Sequence, residues 1–101
     1  MRQGDAVMQT NSGSQSPRRA PSVRAIGRTG SPKLVDRTGD QVLALNDTAL
    51  AIWDLCDGVT TIDEMVNAVV EAFEVEPRQA RADVETVIVD FYRFDVLDHV
   101  L

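Results

Sequence analysis

Apolar positions come in two patterns along the chain, and the pattern changes once. Up to Leu45 they form short runs: Val23-Arg24-Ala25-Ile26, then Lys33-Leu34-Val35-Asp36, then Gln41-Val42-Leu43-Ala44-Leu45. Gly27, Gly30 and Pro32 punctuate the first gap, and Arg37-Thr38-Gly39-Asp40 fills the second. A short glycine-containing linker between two apolar runs predicts a β-hairpin, with Val23 to Ile26 as a candidate third strand. Beyond Leu45 the spacing turns helical. Asn46 suits an N-cap, with Leu45 and Leu50 at the positions of a hydrophobic staple, and the run Thr48 to Cys56 ends at Asp57-Gly58. A second helix opens on the capping box Thr61-Ile62-Asp63-Glu64 and carries Ile62, Met65, Val66, Val69 and Phe73 on one face. Pro77 at N1 starts a third, with Ala80, Val84, Val87, Ile88 and Phe91 on one stripe, ending between Arg93 and Val96. Strands followed by helices make an α+β domain, and three short strands leave one sheet edge open.

Residues 1–22 contain Ser, Gln, Gly, Pro and Arg but little large apolar material beyond Val7 and Met8. Such a stretch buries too little surface to offset its ordering entropy, so a disordered basic tail is expected over 1–22 and a domain over 23–101. Arg18-Arg19 would serve there as a solubilising pair or as an anchor for an acidic partner.

Charge sharpens this division. Residues 1–30 hold five arginines against Asp5, a net of +4, while residues 31–101 hold five basic and fifteen acidic side chains, a net of −10. So acidic a domain repels phosphate backbones, so no nucleic-acid partner is expected. No apolar run approaches a membrane span, the N-terminus lacks a secretory h-region, and one cysteine makes no disulfide framework. A cytoplasmic protein with no membrane partner is expected.

The residues that could carry chemistry are isolated. His99 stands alone near the C-terminus, and Cys56 lies on an apolar helix face beside Ile52 and Trp53, where core packing suits both Cys56 and Trp53. The acidic residues flank apolar stripes and lack the alternating spacing of a calcium loop, and no phosphate-binding glycine motif occurs. Every serine precedes the helical region, which opposes an acyl-carrier reading. No catalytic residue, metal ligand or cofactor is expected, and the protein is not expected to be an enzyme. An open strand edge beside an apolar helix face is instead a way to capture an extended peptide.

The stretch Leu45 to Gly58 (LNDTALAIWDLCDG) resembles the PqqD family, pyrroloquinoline quinone biosynthesis protein D-like, whose pattern is L-N-x-x-A-x-x-I-W-x-L-C-D-G. The capped second helix, Phe73, Glu76-Pro77 and the Ala80 to Val84 run (ARADV) follow in the same order. The resemblance covers roughly residues 31–101 and implies a winged-helix-like fold of three antiparallel strands and three helices. It also implies a recognition element for ribosomally made, modified peptides. Such proteins bind the leader of a precursor peptide and present it to a maturation enzyme, often a radical SAM enzyme, or a leader peptidase. The leader adds beside the third strand and against the third helix, which implicates Gln41, Val42, Leu43, Ala44 and Leu45 on the strand. On the helix it implicates Asp83, Val84, Val87, Ile88 and Phe91, with Asp83 and Asp90 favouring a leader that carries a basic residue. Two departures stand out: the segment before Lys33 matches weakly, and Phe94-Asp95-Val96-Leu97 replaces the usual Gly-Leu close of the last helix. The alternative is a winged-helix nucleic-acid-binding protein, against which stands a second helix without any basic residue.

Overall fold

The structure is a computed structural model, and it describes residues 12–98. Three strands, β1 (Arg24–Ile26), β2 (Lys33–Val35) and β3 (Gln41–Ala44), form an antiparallel sheet in the order β1-β2-β3. Three helices follow: α1 (Asp47–Leu55), α2 (Ile62–Phe73) and α3 (Pro77–Arg93). The α+β architecture expected from the sequence is the one observed.

Local chemistry fixes each element. In the β2–β3 turn, Asp36 Oδ1 accepts from the Thr38 hydroxyl at 2.6 Å and from the backbone N–H groups of Thr38 and Asp40. Gly39 sits in that turn at φ 93°, a region other residues enter only with strain. Leu34 pairs with Leu43, but Val35 pairs with Gln41, so the ladder shifts between Leu34 and Val35 and β3 is bulged at Val42. Asn46 caps α1 by accepting from Ala49 N–H at 2.8 Å. On α2 both halves of the capping box form, Glu64 N–H to Thr61 Oγ1 and Thr61 N–H to Glu64 Oε1. Pro77 opens α3 as expected.

The close of α3 explains how the chain manages without a glycine there. Asp95 takes the left-handed conformation at φ 59°, Val96 N–H donates to Phe91 O, and Asp95 N–H donates to Tyr92 O. That is a Schellman pattern with an aspartate at its left-handed position, one of the few non-glycine residues that tolerate it.

The helices pack their apolar stripes together and onto Leu34 of the sheet. Trp53 and Phe91 meet edge-to-face, centroids 5.6 Å apart, at the centre of this core. Cys56 is fully buried beside them, as expected for a small core residue, and burial pushes its thiol up to about 12.

The expected disordered tail needs correction over its second half; residues 1–11 lie outside the described residues. Residues 12–22 form a strap along the helical layer. A 3-10 turn, Ser12–Ser14, lies against α2, so closely that a Cβ on Gly13 would fall 2.6 Å from Asp63 Oδ1. Downstream, Gln15 O and Pro17 O accept from Ile62 and Gly58 N–H groups, and Arg19 N–H donates to Cys56 O. On the other side Asp98 N–H donates to Arg18 O, and Ala20 N–H donates to Val96 O. The strap is thus threaded between the α1–α2 loop and the C-terminal segment. Pro17 is among the fully buried side chains. Arg18 pairs with Asp98 at 3.3 Å, and the Arg19 guanidinium donates to the Trp53 and Asp54 carbonyls at the end of α1. Composition argued for disorder because it counts apolar side chains, whereas this segment is held through its backbone, one proline and two arginines.

Candidate functional site

β3 is an outer strand, and among the described residues no other strand pairs with its far side. Leu45 N–H donates to Pro32 O across the sheet, so the next pair, Ala44 with Lys33, is a non-hydrogen-bonded one. Ala44 therefore turns its N–H and C=O outward, and its side chain is exposed. Leu34 is buried and its partner Leu43 is half-buried, both directed at the helices.

A cleft of about 200 Å³ runs between this strand and α3, with Leu43, Ala44 and Leu45 on one wall and Thr86, Val87 and Asp90 on the other. A second hollow continues it past Asn46 and Thr48 to Asp83, sharing Thr86 and Val87. The helix wall follows from periodicity. Residues 83, 86, 87 and 90 stand at i, i+3, i+4 and i+7, one stripe of a helix, adjacent to the core stripe of Ala80, Val84, Ile88 and Phe91.

The ten residues implicated from sequence therefore separate. Leu43, Ala44, Leu45, Val87 and Phe91 meet at the cleft, and Asp83 stands at its extension. Val84, Ile88 and Phe91 are core residues, of which Phe91 alone reaches the cleft floor. Gln41 and Val42 lie on β3 outside the cleft, Val42 at the bulge. Asn46 and Thr86 line the cleft, and Thr48 its extension, without having been singled out. Thr86 was legible, being three residues from Asp83 on the helix; Asn46 and Thr48 were read only for helix initiation.

Charge in the cleft is of one sign. Asp83 and Asp90 flank it, and no lysine or arginine lines either hollow. Asp83 Oδ1 accepts from Gln79 Nε2 at 2.8 Å, and Asp90 makes a long contact of 3.9 Å with Arg93. Elsewhere Arg28 grips Asp54 through two hydrogen bonds of 3.0 and 2.8 Å, and this guanidinium holds the Asp54 carboxyl below its usual range. That pair ties the β1–β2 loop to α1 and takes no part in the cleft.

Among the described residues no group of three or more His, Cys, Asp or Glu side chains could hold a metal ion, and no helix is long and apolar enough to cross a membrane. His99 lies outside the described residues. The arrangement offers hydrogen-bonding backbone, an apolar seat and two carboxylates, which are means of binding an extended chain.

No curated protein and no solved structure matches the chain. The family described as Coenzyme PQQ synthesis protein D (PqqD) matches residues 34–93, a span that runs from β2 to the last residue of α3 and includes both walls of the cleft. With more than half of its length matched, the chain belongs to the PqqD family.

Proposed function

We propose that this protein is a non-catalytic leader-peptide-binding chaperone. It takes the leader of a ribosomally made precursor peptide as an added strand on β3 and presents it to a maturation enzyme, such as a radical SAM enzyme or a leader peptidase. The observation that carries this reading is the outward-facing backbone of Ala44 beside an apolar seat formed by Leu43, Leu45 and Val87. Strand addition supplies affinity through main-chain hydrogen bonds, and alternate side chains of the peptide enter the cleft. It also gives an open edge an occupant, where an exposed strand otherwise invites aggregation. Membership of a family named for coenzyme PQQ synthesis supports a role in peptide-derived cofactor or natural-product assembly.

The test is a titration of the 15N-labelled chain with the leader segment of its precursor peptide. Saturable amide shifts are expected on residues 42–46 and 83–90. Shifts confined to the strap or to the exposed faces of α1 and α2 would overturn the site.

A further inference from the structure

Among the described residues, apolar surface lies open in more than one place. One, between α1 and α2 around Ala51, Leu55, Ala72 and Phe73, has nothing beside it that indicates its occupant. The cleft between β3 and α3 is different, because its charges and spacing constrain what fits.

A strand laid along β3 presents every second side chain to α3, about 6.6–6.8 Å apart. On α3 the order along the cleft is Asp83, then Val87, then Asp90. At 1.5 Å per residue, Asp83 lies about 6 Å before Val87 along the helix axis and Asp90 about 4.5 Å after it. An aliphatic side chain seated on Val87 and Leu43 thus has same-face neighbours two residues away that arrive beside the two carboxylates. Long basic side chains make up the small mismatch, since their flexible stems cover apolar surface while the head reaches an acid. Gln79 engages one oxygen of Asp83, and Arg93 stands 3.9 Å from Asp90 with its side chain 70% exposed, so both aspartates keep room for an incoming cation.

Resting on the strand-addition reading, we propose that the cleft selects peptides with the pattern basic–x–aliphatic–x–basic, the aliphatic residue over Val87 and the basic residues against Asp83 and Asp90. The pattern is symmetric, so it holds for a strand added in either direction.

Exposed ion pairs are weak, so two of them change affinity by about two- to thirtyfold at low salt. The experiment pans a library of random twelve-residue peptides against the full-length chain and measures the selected peptides in solution. Peptides with the pattern are expected to dominate. Replacing both basic residues by glutamate is expected to weaken binding about tenfold, and the double variant Asp83→Lys, Asp90→Lys to reverse that preference. The isosteric pair Asp83→Asn, Asp90→Asn, which keeps the shape of both side chains, is expected to abolish the preference. Equal binding of lysine and glutamate peptides, with all binding lost in Ala44→Pro, would overturn the charge pattern and leave strand addition standing. Peptides that bind Ala44→Pro as well as the native chain, or a library that yields no binder, would overturn strand addition itself and the pattern with it.

Discussion

At the scale of single residues, the acidic side chains divide into those that hold the fold and those that face the cleft. Asp57 is of the first kind. Its Oδ1 accepts from Thr60 and Val59 N–H groups at 2.7 and 2.9 Å, closing the turn between α1 and α2, and these donors hold its carboxyl below the ordinary value of 3.8. Asp36, with the Thr38 hydroxyl first among its donors, and Asp54, gripped by Arg28, are lowered likewise. A carboxyl whose pKa is lower in the folded chain binds its proton more readily once unfolded. The stability these groups contribute is complete above about pH 4 and is lost as pH falls through their folded values. Acid unfolding, followed by circular dichroism, is therefore expected to begin below pH 4. In Asp57→Asn the native chain's extra loss over pH 4 to 2 should shrink; an unchanged acid transition would show that the turn carries none of it.

At the scale of elements, α3 has two stripes with different duties, and one pair of substitutions separates them. Val84 is fully buried in the core, while Val87, three residues on, lines the cleft. Val84→Ala removes two methyl groups from a packed site and is expected to cost about 2 kcal/mol in chemical denaturation. Val87→Lys sits on the cleft stripe at the edge of the core, so its cost should be about 1 kcal/mol, less than that of Val84→Ala, while leader binding is lost. Loss of binding in Val84→Ala at temperatures where it remains folded would blur that division. Periodicity made the helix and its apolar face legible. It gave one broad stripe, however, and a stripe wide enough to include Val84, Val87 and Phe91 does not say which edge meets the core. The sheet decides that, because β3, far earlier in the chain, faces α3 across the cleft on the Val87 side. The helix starts were legible for a local reason: Asn46, the Thr61–Glu64 box and Pro77 act within one turn of themselves. The end of α3 was not, because an aspartate does there what glycine usually does.

The whole molecule depends on a segment that the family pattern omits. The match begins at Leu34, yet residues 15–20 supply backbone partners to Cys56, Gly58, Ile62, Val96 and Asp98. They join the α1–α2 loop to the C-terminal segment, a link nothing in the local sequence announces. Gly58 records the closeness of this contact: it stands at φ 82°, and a Cβ there would lie 2.9 Å from the Arg18 side chain. Arg19 fastens the strap from a second direction, since its guanidinium, 5.9 Å from the Trp53 ring, donates to the Trp53 and Asp54 carbonyls at the end of α1, the first of which also accepts from Cys56 N–H. Removing residues 1–22 strips five backbone hydrogen bonds and the buried Pro17 from the helical layer. Set against the chain entropy released, the net loss is expected to be about 2–4 kcal/mol. Truncation to residue 12 should cost far less, because the strap remains. The thiol of Cys56 reports the difference directly. Buried and held near 12, it should resist a thiol reagent in the native chain and in the shorter truncation, and react at least tenfold faster once the strap is gone. If both truncations kept the native melting temperature and a protected Cys56, the strap would be an ornament on a domain that begins at the sheet.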